Sequence, residues 1–185
     1  MKQIYLSTIL LAIFLLTNVN ITAQEQKKTT SVNINSEELF EKLMSSFNPN
    51  WKVEEPAPTD YPTYYGGSFI DNNGKFVVCV VGNPAQHRPT ISSILGTNDF
   101  LTETCTYSYR EMMQVMDKID AFLSNSSIPA THPFLTYFAG TAADVFENRV
   151  VVRLTEMNDV AIQAFKRDIS NSPVVMFEKG EMPVM

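Results

Sequence analysis

Gly67-Ser68-Phe69-Ile70-Asp71-Asn72-Asn73-Gly74-Lys75-Phe76-Val77-Val78-Cys79-Val80-Val81 is the stretch on which the fold reading turns. Asn and Gly tolerate the positive φ angles of tight hairpin turns, so 71–74 reads as the turn between two antiparallel strands. The return run from Phe76 to Val81 is apolar at every position. A strand with one solvated face would alternate, so this one is expected to be covered on both sides.

Working outward, 83–99 carries Pro84 and Pro89 and reads mostly as loop, with a short helix over 91–95 ended by Gly96. A third strand is expected over 100–107, with Leu101, Glu103, Cys105 and Tyr107 alternating with threonines. Upstream, Ser36 is a natural N-cap for a helix over 36–48. Leu39, Phe40, Leu43, Met44 and Phe47 line one face of it, and Pro49 stops it. Pro56, Pro58 and Pro62 make 54–62 an extended linker.

Downstream, Ser108-Tyr109-Arg110-Glu111 is a capping box: the Ser108 hydroxyl accepts from the Glu111 amide while the Glu111 carboxylate reaches back. The helix it opens buries Met112, Met116, Ile119 and Leu123, broadened by Val115 and Phe122, with methionine as core filler. A second hairpin follows, with a strand over 134–143, a turn over 144–148 and a return strand over 149–154. Asn158 caps a helix reaching Ser170, and Pro173 opens a last strand over 174–177. Two hairpin-led blocks, 66–107 and 134–178, thus repeat one pattern. The fold class expected is α+β: a single two-layer domain over 36–185, antiparallel sheet against helices, built from two hairpin–helix–strand blocks around one core.

Residues 1–23 have the layout of a secretion signal. Lys2 supplies the positive end, 4–16 the apolar run, and Ala23 with Ile21 the peptidase site before Gln24. The run is well short of the ~20 residues a bilayer span needs, so the chain is expected to be exported, periplasmic or extracellular, with no membrane attachment after cleavage. Polar 24–35 reads as a flexible tether. The net charge is −6 at pH 7, which offers none of the counterion-releasing surface that nucleic acid demands.

Catalytic constellations are weak. Ser68 follows Gly66-Gly67 without the G-x-S-x-G spacing of a nucleophile elbow. His87, His132, Cys79 and Cys105 supply two nitrogens and two sulfurs, but their spacing matches no compact zinc module. A Cys105–His132 thiol catalyst lacks an evident third group. No cofactor, metal or enzymatic activity is expected. For Cys79 and Cys105, two readings stay open: a disulfide, which an oxidising compartment permits, or two buried apolar thiols. Trp51, Tyr61, Tyr64 and Tyr65 cluster before the first strand, either pinning the N-terminal helix to the sheet or forming an aromatic surface for a carbohydrate or small ligand.

The segment 64–78, Tyr64-Tyr65-Gly66-Gly67-Ser68-Phe69-Ile70-Asp71-Asn72-Asn73-Gly74-Lys75-Phe76-Val77-Val78, resembles the first hairpin of propeptide-type domains of secreted chymotrypsin-like serine peptidases, the α-lytic protease and streptogrisin group. Tyr107-Ser108-Tyr109-Arg110-Glu111-Met112 is similar to their strand-to-helix junction. Glu147-Asn148-Arg149-Val150-Val151-Val152, the helix to Phe165, and Val174-Val175-Met176-Phe177-Glu178 are similar to their second half, so the likeness spans 64–178. The resemblance implies a non-catalytic module that helps its peptidase fold and then inhibits it, with the C-terminal tail in the substrate cleft. On that pattern the tail here is Gly180-Glu181-Met182-Pro183-Val184-Met185. The sequence ends at Met185 with no peptidase following, so the expectation is a polypeptide binder, inhibitor or folding helper acting on a separate chain, a secreted serine peptidase among the candidates. The rival expectation is the carbohydrate- or small-ligand-binding module.

Overall fold

The computed structural model describes residues 36–181. The signal-like segment and the tether, 1–35, and the end of the tail, 182–185, lie outside the described residues. A helix over 36–47 (α1) leads through the proline linker, which makes one 3-10 turn at Pro58–Asp60, into β1 (Tyr65–Ile70) and β2 (Phe76–Val81). Helix α2 (Pro84–Leu95) and β3 (Leu101–Cys105) complete the first block. Helix α3 (Tyr109–Leu123) joins it to α4 (Pro133–Tyr137), β4 (Phe138–Asp144), β5 (Arg149–Leu154), α5 (Asp159–Asp168) and β6 (Val175–Lys179).

The expected α+β architecture of two hairpin-led blocks is what the chain forms. Each block is a three-stranded sheet, β1-β2-β3 and β4-β5-β6. The hairpins are antiparallel, but β3 and β6 join parallel to β2 and β5, so each sheet is mixed rather than wholly antiparallel. A helical crossover returns the chain to the same end of the sheet, which makes the third strand parallel. The repetition extends to detail. Both first strands carry a bulge, between Tyr65 and Gly67 and between Phe138 and Gly140. The glycine after each bulge has positive φ, +119° and +159°.

The core divides in two. In the first cluster Leu39, Leu43 and Met44 of α1 meet Phe76, Val78 and Val80 of β2 and Ile91 and Leu95 of α2. In the second, Met112, Val115, Ile119 and Phe122 of α3 meet Val150, Val152 and Leu154 of β5 and Phe165 of α5. Tyr109 packs against both. The single core expected from the sequence is therefore two, because each crossover helix covers the face of its own sheet. The doubly apolar reading of 76–81 holds: Phe76 to Val80 are all buried.

Three local readings change. The segment 83–99 is not mostly loop, since α2 runs from Pro84. Asn83 caps it by accepting from the Ala85 amide, and Pro84 sits where a missing N–H is harmless. Pro89 is carried inside the helix because Ile91 and Leu95 are buried against the sheet. Gly96 ends it in the left-handed region, φ +69°, as expected. Residues 133–137 open with a short helix instead of a strand, since periodicity cannot separate helix from strand in so short an apolar run. In α3 the buried stripe is Met112, Val115, Ile119 and Phe122, while Leu123 is exposed. Both hydrogen bonds of the Ser108–Glu111 capping box are present.

The two blocks meet through the β4–β5 turn. Asn148 there has φ +51° and is buried. Its Oδ1 accepts from the amides of Thr106 (2.8 Å) and Tyr107 (2.7 Å), and its Nδ2 donates to the Tyr107 carbonyl (2.8 Å). On either side, Val145 lies where a Cβ on Gly67 would approach within 2.6 Å, and the Phe146 ring packs tilted against Phe69 with centroids 4.7 Å apart. Arg149 sits over the Tyr107 ring at 4.7 Å and donates to the Tyr107 hydroxyl and the Pro173 carbonyl.

Replacing Asn148 by Gly keeps the backbone freedom but leaves three backbone groups without their partner, and should cost about 2–4 kcal/mol. Asn148→Ala should cost ~1 kcal/mol more, because Ala resists the left-handed region. Denaturant unfolding of the two variants measures both steps, and unchanged midpoints would show that the blocks are held together by other means.

Candidate functional site

The β4–β5 turn and β3 enclose a cleft of about 330 Å3. Its base carries Phe69, Cys79 and Cys105, one wall is Glu103 to Thr106, and the other is the turn from Val145 to Arg149. Register explains the grouping. Gly67 lies opposite Cys79, and Cys79 opposite Glu103. Phe69, Val77 and Leu101 form the next row on the same face, and Val81 and Cys105 the row after. Sequence reasoning singled out the two cysteines but not Glu103 or the turn, whose partnership comes only from docking two blocks distant in sequence.

Cys79 and Cys105 are free thiols, so the disulfide reading gives way to the apolar-thiol reading. They sit diagonally on adjacent parallel strands, two residues out of register. Strand spacing and rise put such α-carbons about 8 Å apart, too far for a disulfide without backbone movement. The Cys105 sulfur instead lies over Gly66, whose missing side chain makes room for it, and donates weakly to the Tyr107 carbonyl at 3.6 Å. Burial pushes the Cys79 thiol up to about 11, helped by the Glu103 carboxylate. Burial likewise pushes Cys105 up to about 12, helped by Cys79 and Glu111. Both thiols are protonated at neutral pH, the opposite of what a cysteine nucleophile needs.

The two histidines are apart from the cleft. His87 stacks on Tyr64 with centroids 4.4 Å apart. His132 caps α4: its Nδ1 accepts from the Phe134 amide, which leaves Nε2–H to donate to Asp168 at 3.0 Å. Both ring nitrogens are occupied, and Arg167 and His132 together hold the Asp168 carboxyl below the usual carboxylate range. Ser68 shares a 3.0 Å hydrogen bond with the Tyr65 hydroxyl, a structural role.

The four aromatic candidates do not face one pocket. Tyr61 and Tyr65 are buried and stack within a cluster with Phe47 and Tyr109. Arg110 fastens the linker there by donating to the carbonyls of Tyr61 and Thr59. Trp51 packs edge-on against Phe40, its Nε1 donating to Ser45. These contacts pin α1 and the linker onto the first sheet.

Of the tail, Gly180 and Glu181 are described. The Gly180 amide donates to the Leu154 carbonyl at 2.8 Å, so the chain continues the β5–β6 ladder for a residue past β6. Gly180 lies against Arg153, where a Cβ would come within 2.8 Å of the arginine Cβ. Strands β3 and β6 each end a sheet, with a strand partner on one side only among the described residues.

Residues 21–105 match a family model described as a Pro-like N-terminal domain, and residues 110–180 match one described as a Pro-like C-terminal domain. Together they take in most of the chain, and they agree with a propeptide-type domain. The gap between them contains Thr106 and Tyr107, the residues Asn148 grips. No curated protein matches the chain.

An acid whose folded pKa lies above its unfolded value keeps its proton longer when folded, so it favours the unfolded state as pH rises. For Cys79 and Cys105 the loss of stability should begin near the ordinary thiol value of 9.0 and grow until the folded values near 11 and 12 are passed. Buried Tyr61 and Tyr65, also raised by desolvation, should add to the loss above ~10. Thermal melts at increasing pH would record this, and Cys79→Ala/Cys105→Ala protein should lose the part that begins near pH 9.

Proposed function

We propose that the chain is an exported, non-enzymatic domain that binds another polypeptide, acting in trans as a peptidase inhibitor or folding helper. The observation that supports this most directly is the free edge of the second sheet. β6 is an edge strand among the described residues, and the ladder runs on through Gly180. An extended segment of a partner can pair with such an edge through main-chain hydrogen bonds, the general mode of strand addition. The same engagement would deliver Met182-Pro183-Val184-Met185 to an adjoining groove. The match to Pro-like domains over both halves supports the reading. So do the protonated thiols and the fully occupied His132 ring, which suit a scaffold better than a reaction centre.

The test is inhibition of a purified chymotrypsin-like serine peptidase by the full chain and by a form truncated after Lys179. Losing the buried surface of several apolar tail residues should weaken inhibition tenfold or more, ~1.4 kcal/mol. If neither form slows the peptidase or raises its refolding yield, the proposal is wrong; equal potency of the two forms would remove the tail from it.

A further inference from the structure

The two blocks treat one equivalent position differently. Aligned on the bulge glycines, Gly67 pairs with Cys79 and Gly140 with Arg153, so Cys79 and Arg153 correspond. Across the parallel pair, Cys79 faces Glu103 and Arg153 faces Glu178, so the two glutamates correspond as well. In the second block Arg153 Nε donates to Glu178 at 2.7 Å. In the first block a buried thiol stands where the arginine would be, and Glu103 is in none of the ion pairs among the described residues. The cation that lines the cleft, Arg149, is committed to Tyr107 and the Pro173 carbonyl. Glu147, on the opposite wall, adds a second carboxylate and is exposed.

We infer that the cleft beside Glu103 receives an arginine side chain from an extended polypeptide that pairs with the free edge of β3. Glu103 and Thr104, on opposite faces of the strand, are both exposed, which leaves that edge accessible. The residue directly opposite Glu103 on an added strand points to the same face, into the cleft. Its guanidinium then makes the charge-assisted contact that Arg153 makes with Glu178. Leu101, two residues before Glu103 on that face, is 43% exposed, and Phe146 at the cleft rim is 74% exposed. The ligand chemistry is therefore an arginine with an apolar residue two positions away, in an extended segment of low acidity. The inference deepens the polypeptide-binding reading but places the contact on the first block, away from β6 and the tail.

The experiment titrates the full chain with a blocked pentapeptide, Val-Thr-Arg-Thr-Val, and with the same peptide carrying citrulline, which keeps the shape and removes the charge. Amide chemical shifts report the binding. The expected result is saturable movement of residues 101–106 and 145–149 by the arginine peptide, weakened at least about tenfold for citrulline and for Glu103→Gln. Cys79→Arg, which supplies the guanidinium internally, should abolish binding if that variant folds; Glu103→Gln is a surface change and serves even where it does not. No shifts at these residues, equal binding of the two peptides, or undiminished binding by Glu103→Gln would overturn the inference. Because no peptidase is involved and the tail is not altered, failure here is distinct from failure of the inhibition test.

Discussion

The docking of the two blocks centres on one side chain held in a conformation that few residues accept. Asn148 sits in the left-handed region at φ +51° and is buried. Its amide reads both the donors and the acceptor of the 106–107 backbone. That backbone has just left β3 and is about to enter α3, so it has no ladder or helix of its own to satisfy it. An unpaired buried backbone group costs about as much as a lost hydrogen bond. Docking of the second block therefore completes the first, and the cleft exists because this contact holds the turn above the sheet.

Repetition with divergence makes the two blocks alike in plan and unlike in detail. Each block folds by the same route: a hairpin with a bulge and a positive-φ glycine, a crossover helix, and a parallel third strand. Where the second block closes its outer face with the Arg153–Glu178 pair, the first substitutes a thiol and leaves a carboxylate uncompensated. A partly exposed pair of this kind contributes little to stability by itself. Edge strands are a hazard that proteins commonly blunt with charge. Glu103 and Glu178 lie on β3 and β6, one edge strand of each sheet, where their charge discourages indiscriminate pairing.

The chemistry of the site follows from desolvation. The cysteines stand at the base of the cleft, where burial holds their protons on. The walls around this floor are largely polar, Glu103 to Thr106 on one side and Glu147 to Arg149 on the other.

Signals that act over a few residues could be read from the sequence alone. The hairpin turn, the Ser108–Glu111 capping box, the Asn158 cap and the Gly96 stop are local contests between backbone and side chain, and their outcome does not wait for the rest of the chain. The α+β class and the doubled block pattern were legible for the same reason. Tertiary structure decided what local rules leave balanced. It carried Pro89 inside a helix because Ile91 and Leu95 needed burial, split the core between two sheets, and set the cysteines diagonally where no bond can join them. It also created the cleft, since nothing local to Asn148 says which backbone, some 40 residues earlier in the chain, its amide will hold.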